Sequence, residues 1–163
     1  MTSPTNGDTM TAQTRRSRDT HHTVRRLSTR FADNDVLGHI NNATYYAYFD
    51  TAINGWLYEL AGGPTWELPG LAVVASSSCD YLREVHYPQD LLIGLRVARL
   101  GTKSIAYELH LWAAGDPPGE IRARGRWVHV YIDPATRATV AIPPRLRAAI
   151  GNAIASIETE ERP

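Results

Sequence analysis

Phe31-Ala-Asp33-Asn34-Asp35-Val-Leu-Gly38-His39-Ile40-Asn41-Asn42-Ala-Thr-Tyr45-Tyr46-Ala-Tyr48-Phe49-Asp50 is the stretch from which the rest of this chain can be read. It begins polar, with carboxylates at Asp33 and Asp35, then Gly38, His39 and the Asn41-Asn42 pair. After Asn42 the pattern changes. Tyr45, Phe49, Ala52, Ile53, Trp56, Leu57 and Leu60 recur at steps of three and four, which predicts an amphipathic helix with one buried face. Asn41 or Asn42 is placed to cap it, because a short side-chain oxygen accepts a bond from the first free amides. Gly62-Gly63-Pro64 stops it. The start of such a helix offers unpaired N–H groups and positive potential. A carbonyl oxygen gaining charge during acyl transfer is stabilised there. A carboxylate a few residues upstream can attack that carbonyl or activate water. Gly38 lets the intervening loop bend.

Around this centre the chain reads as α+β. Residues 1–21 are polar and aperiodic and are expected to be a disordered tail; one domain is expected over 22–160. Leu27, Thr29 and Phe31 alternate with Arg26, Ser28 and Arg30, the period of a half-buried strand. After the helix come a strand from Leu71 to Leu82, rich in small residues, and alternation at Leu91, Ile93, Leu95 and Val97. A turn at Leu100–Ser104 leads to Ile105, Tyr107, Leu109 and Leu111, and Gly115–Gly119 to a strand over Ile121–Ile132. Pro143-Pro144 opens a helix from Arg145 to about Ile157. Four short-spaced strands after one helix predict hairpin-linked antiparallel pairing rather than βαβ units.

Composition narrows the function classes. Lys plus Arg number 17 and so do Asp plus Glu, giving zero formal net charge. That balance argues against nucleic acid or an anionic membrane as the main partner. The single Cys79 excludes an intrachain disulfide and a cysteine-based metal site, and fits a reducing, cytoplasmic setting. No apolar run is long enough for a membrane span, and the first twenty residues lack the apolar core of a secretory signal. No G-x-S-x-G elbow, Walker loop or G-x-G-x-x-G fingerprint occurs. His21-His22 do not make a convincing metal pair, and neither metal nor cofactor is expected.

Asp33-Asn34-Asp35-Val-Leu-Gly38-His39-Ile40-Asn41-Asn42-Ala-Thr-Tyr45 resembles the D-x-D-x-x-G-H-x-N-N-x-x-Y signature of hotdog-fold acyl-CoA thioesterases of the 4-hydroxybenzoyl-CoA thioesterase family. The resemblance runs from about residue 22 to about residue 145. It implies an antiparallel sheet wrapped around one long central helix, a homodimer or homotetramer, and hydrolysis of acyl-CoA to a carboxylic acid and coenzyme A. It implies Asp35 as nucleophile or general base, and the backbone N–H of Asn42 as the group that polarises the thioester carbonyl.

Each assignment has a plainer rival. Asp35 would otherwise be a loop carboxylate bonding backbone amides. Asp33 is expected to be structural, fixing the loop by an Asx-type bond. His39 either moves a proton or orders the loop. Asn41 orients water or braces the loop. Tyr45, Phe49 and Trp56 are expected in the core, with Tyr46 and Tyr48 lining a groove between subunits. Coenzyme A brings phosphates, for which Arg83, the Lys103-Ser104 turn and the row Arg122, Arg124, Arg126 are candidates; solvated charge is the plainer reading of each. Two alternatives remain beside acyl-CoA hydrolysis: hydrolysis of acyl carrier protein thioesters, and non-catalytic binding of acyl-CoA.

Overall fold

The computed structural model describes residues 21–117 and 120–160. All but the last residue of the expected tail lies outside them; His21 itself is buried, and the His22 amide donates to the Leu95 carbonyl. The elements are β1 (Thr23–Ser28), α1 (Thr44–Ala61), β2 (Leu71–Tyr81), β3 (Asp90–Leu100), β4 (Ser104–Ala113), β5 (Ala123–Ile132) and α2 (Pro144–Glu160), with short 3-10 turns at Phe31–Asp33 and Thr65–Glu67. One antiparallel sheet has the order β1-β3-β4-β5-β2.

The helix forms where its apolar spacing demands. Tyr45, Tyr48, Phe49, Ala52, Ile53, Trp56, Leu57 and Ala61 are all buried against the sheet. The inner faces of β3, β4 and β5 supply Ile93, Leu95, Ile105, Leu109, Leu111 and Tyr131 to the same core. Gly125 allows the closest approach: a Cβ there would lie 2.9 Å from the Phe49 ring. At the C-terminus Gly62 adopts φ 69°, and bonds from Gly62 N–H to Glu59 and Gly63 N–H to Tyr58 close a Schellman motif.

The sheet's outer face carries paired charge. Arg96 meets Glu108 on the neighbouring strand, and Arg126 faces Asp80 at 3.7 Å. Arg122, just before β5, is held by Asp116 at 2.6 Å.

Two expectations are corrected. The strands after α1 are not joined by successive hairpins: β2 pairs with β5, at the edge opposite β1, and only β3, β4 and β5 follow one another. The segment 82–89 must therefore carry the chain across the fold. It does so beneath the start of α1, with Val85 fully buried and its carbonyl accepting the Ile40 amide at 2.7 Å. The first strand also ends early. Phe31 is 78% exposed, because Arg30 N–H bonds Asp33 Oδ2 and folds the chain into the 3-10 turn.

Candidate active site

Two segments meet where the crossover passes the helix start. The first is a tight hairpin over 34–40, closed by an Asn34–Ile40 bridge. Asp35 N–H donates to the His39 carbonyl at 2.8 Å, and Gly38 N–H to the Asp35 carbonyl at 3.1 Å. Gly38 sits at φ 81°, the left-handed position that such a three-residue loop requires. Val36 and Leu37 occupy the tip and are exposed.

The two carboxylates of this hairpin differ sharply. Asp33 is 3% exposed. Its Oδ2 accepts from the Tyr48 hydroxyl at 2.6 Å and from Arg30 N–H at 2.8 Å; its Oδ1 meets the Arg30 guanidinium at 2.9 Å. Burial alone would raise the Asp33 carboxyl, but these bonds from Arg30 and Tyr48 hold it below its usual value. Tyr48, expected to line a groove, is thus buried and bound within the chain itself. Asp35, half-exposed, makes the Asx turn that sequence reasoning gave to Asp33: its Oδ1 accepts the Leu37 amide at 2.8 Å. No donor reaches Asp35 Oδ2 among the described residues.

The helix start is arranged with equal economy. Asn41 Oδ1 accepts Ala43 N–H and the Asn41 carbonyl accepts Thr44 N–H, each at 2.9 Å. Asn41 thereby does the capping work, one turn ahead of the regular helix that begins at Thr44. In a trans peptide the C=O and N–H point to opposite sides. Because the Asn41 carbonyl is turned into the helix, the Asn42 N–H is turned out of it. That amide has no acceptor among the described residues. The first turn carries no acidic side chain, so no carboxylate offsets its dipole.

Between hairpin, helix start and crossover lies a cleft of about 470 Å³, lined by Asp35, Leu37, His39, Ile40, Asn42, Tyr45, Tyr81, Leu82, Arg83 and Glu84. His39 Nε2 lies 3.2 Å from Glu84 Oε2. His86 Nδ1–H donates to the Gly38 carbonyl at 3.0 Å, and its ring meets His39 edge-on. Arg122, bonded to the Glu84 carbonyl, and the Arg83–Glu120 pair close one end. Burial pushes the Tyr45 and Tyr81 phenols up to about 12, so both are neutral hydroxyls.

Of the residues singled out from sequence, Asp35, His39, Asn42 and Arg83 share this cleft, with Gly38 and Asn41 shaping its two backbone walls. Tyr46 instead packs half-buried on Trp127. Lys103 and Ser104 lie at the far end of β3 and β4, where Lys103 reaches Thr139 and Ser104 meets Arg99. An 11-residue strand puts roughly 33 Å between that turn and the Asp90 end near the hairpin. Tyr81, Glu84 and His86 were missed. Tyr81 reaches the cleft from the end of β2, while Glu84 lines it and His86 backs His39 because 82–89 crosses the fold, which no local spacing signals. Among the described residues no cluster of three or more His, Cys, Asp or Glu could hold a metal ion.

Comparisons with known proteins identify the family. A family model described as the thioesterase superfamily matches residues 37–120. The crystal structure of the PA5185 protein of Pseudomonas aeruginosa PAO1 is 45% identical and superposes with a TM-score of 0.77, over 83% of this chain and 94% of that one. A thioesterase from Thermus thermophilus, complexed with coenzyme A and Zn, is 29% identical with a TM-score of 0.70, over 88% and 97% of the two chains. The gentisyl-coenzyme A thioesterase BH1999 is 25% identical with a TM-score of 0.68, over 78% and 98%. Uncharacterized protein YsmA of Bacillus subtilis (strain 168) is 32% identical over 80 residues, which are 49% of this chain; the chain spans about half, 54%, of that curated relative. The sheet around α1 is the hotdog fold, and the chain belongs to the thioesterase superfamily.

Proposed function

We propose that the protein hydrolyses acyl-CoA to a carboxylic acid and free coenzyme A, with Asp35 as the carboxylate that drives the step. The observation that carries this reading is one cleft containing both an unengaged oxygen of Asp35 and the outward-facing N–H of Asn42. A thioester carbonyl oxygen bound by that amide gains charge as its carbon is attacked, and a fixed donor at a helix start stabilises the change. Two routes use the same atoms. Asp35 Oδ2 attacks the carbonyl carbon, the C–S bond breaks, the thiolate takes up a proton, and water then cleaves the mixed anhydride. Alternatively Asp35 takes a proton from water, the water oxygen attacks, and the C–S bond breaks in the same sense. In both, Oδ1 stays bound to Leu37 N–H and holds the carboxylate in place.

His39 faces Glu84 with Nε2, which supports a loop-bracing role beside the acid–base one. Coenzyme A as the carrier is supported by relatives whose names and complexes include it. The row Arg122 to Arg126 gives little support to a carrier-protein substrate, since Arg122 is held by Asp116 and Arg126 faces Asp80. A homodimer or homotetramer is supported by β2: this 11-residue edge strand is exposed from Val74 to Ser78 and carries no charge before Asp80. Such an edge invites pairing with a second copy. No helix among the described residues is long and apolar enough to cross a membrane, and the free Cys79 fits a cytoplasmic site.

The test is thiol release from a panel of aliphatic and aromatic acyl-CoAs, run beside the same acyl groups on acyl carrier protein. Turnover of one or more acyl-CoAs is expected. Turnover restricted to the carrier protein, or tight acyl-CoA binding without thiol release, would reject it in favour of one of the two alternatives.

A further inference from the structure

Tyr81 is the last residue of β2 and stands on the wall of the cleft. Its hydroxyl donates to the Asn42 carbonyl at 2.9 Å. Its ring meets Tyr45 edge-on, with centroids 5.1 Å apart. Sheet edge and helix start are thus joined by one polar bond and one aromatic contact.

The bond matters because of which peptide it holds. Asn42 lies between two peptide planes. The plane before it is fixed through the Asn41 carbonyl, which accepts Thr44 N–H. The plane after it is fixed at both ends: Ala43 N–H donates to Asn41 Oδ1, and the Asn42 carbonyl accepts from Tyr81. Two of these three bonds lie within the turn, and the tie that Asn41 N–H makes to the Asp33 carbonyl at 2.8 Å lies ahead of Asn42, so the helix start can pivot about Asn41 without breaking them. Among the described residues, only the bond from Tyr81 ties Asn42 itself to another element. An oxyanion donor works over a narrow range, about 2.7–3.1 Å from the oxygen it stabilises. A small rock of this turn would carry the Asn42 amide out of that range.

We propose that Tyr81 is a positioning residue for thioester hydrolysis: its hydroxyl anchors Asn42 to the sheet, so that the amide of Asn42 meets the carbonyl oxygen as charge develops there. This rests on the hydrolytic reading above and assigns Tyr81 no contact with the reacting atoms. A tyrosine is protonated at neutral pH, and its pKa is raised further here, so the hydroxyl is a donor throughout the working pH range.

Tyr81→Phe removes the hydroxyl and keeps the ring against Tyr45. The full chain is compared with wild type on the acyl-CoA that wild type turns over fastest. Four quantities are read: kcat, KM, the thermal midpoint, and the Kd of a thioether analogue of that acyl-CoA, which lacks the carbonyl oxygen. The expected result is a fall in kcat of about tenfold, the scale of one lost hydrogen bond in a supporting position. KM and analogue Kd stay at wild-type values, and the thermal midpoint falls by no more than about 2–4 °C, the cost of the bond itself. A wild-type kcat overturns the proposal, as does a fall in kcat matched by weaker analogue binding or by a midpoint lowered further than that. Asp35→Asn, assayed in parallel, separates the two levels. If Asp35→Asn is inactive and Tyr81→Phe fully active, only the role of Tyr81 fails. If Asp35→Asn keeps wild-type activity, the role given to Asp35 fails; if wild type itself releases no thiol from any acyl-CoA, the hydrolytic reading fails and takes the role of Tyr81 with it.

Discussion

Asp33→Asn separates the two carboxylates of the hairpin, because Asp33 is bound within the fold while Asp35 faces the cleft. Asparagine keeps the shape of the side chain and one acceptor oxygen but removes the charge. On the buried side two bonds are affected, from the Tyr48 hydroxyl at 2.6 Å and from Arg30 N–H at 2.8 Å. Each changes from a bond to a charged acceptor to a bond between neutral groups, a loss of about 1 kcal/mol apiece. The Arg30 guanidinium is exposed and screened by water, and it adds nothing to the sum. The expected destabilisation is ~2 kcal/mol, which lowers Tm by roughly 4–8 °C for a chain of this size.

The pH dependence of that gap has a definite sign. The Asp33 carboxyl is depressed in the folded state from its ordinary value of 3.8, so its contribution is present above that value. It is lost as pH falls through the depressed value. Urea unfolding of both proteins at several pH values should therefore show a constant gap from pH 7 to pH 5, closing only below 3.8. Equal stabilities at pH 7 would refute the assignment of Asp33 as a structural carboxylate. So would a gap that widens on acidification.

Gly125→Ala places a Cβ within 2.9 Å of the Phe49 ring and should cost about 1–3 kcal/mol by overpacking, measured by urea unfolding; unchanged stability would mean that α1 shifts off the sheet freely. Burial lowers His129 from 6.5 to about 4, so the neutral ring supports the fold above 6.5 and that support is lost as pH falls towards 4. Wild type should lose roughly 2–3 kcal/mol through this group between pH 7 and pH 4.5, and His129→Phe should show a flatter stability profile over the same window.

The helix was legible because almost every residue that marks its period is buried; Tyr45, Phe49, Ala52, Ile53, Trp56 and Leu57 all lie in the core. The antiparallel α+β character was legible for the same local reason, alternation along each strand. Strand order was not. The eight residues from Leu82 to Gln89 have the length of a hairpin connection, and only long-range pairing of β2 with β5 shows that they cross the fold. Arg83 stood out by its charge alone, but the placing of Glu84 in the cleft and of His86 behind His39 was invisible with the crossover. The roles within the hairpin were harder still. Asp33 and Asp35 are two positions apart and chemically alike, and only the reach of Tyr48 from the next turn distinguishes them. Tyr48 could be misread as a groove residue because its hydroxyl is polar while its ring belongs to the buried face.

The central claim is that an ionised Asp35 acts on a thioester whose carbonyl oxygen is held by the Asn42 amide. The most direct measurement is kcat for Asp35→Asn beside wild type on the best acyl-CoA, with the thermal midpoint of both recorded. The account predicts a fall of at least about a hundredfold in kcat, as expected when the group driving the chemical step is removed, with the midpoint unchanged. Wild-type turnover by Asp35→Asn would contradict it.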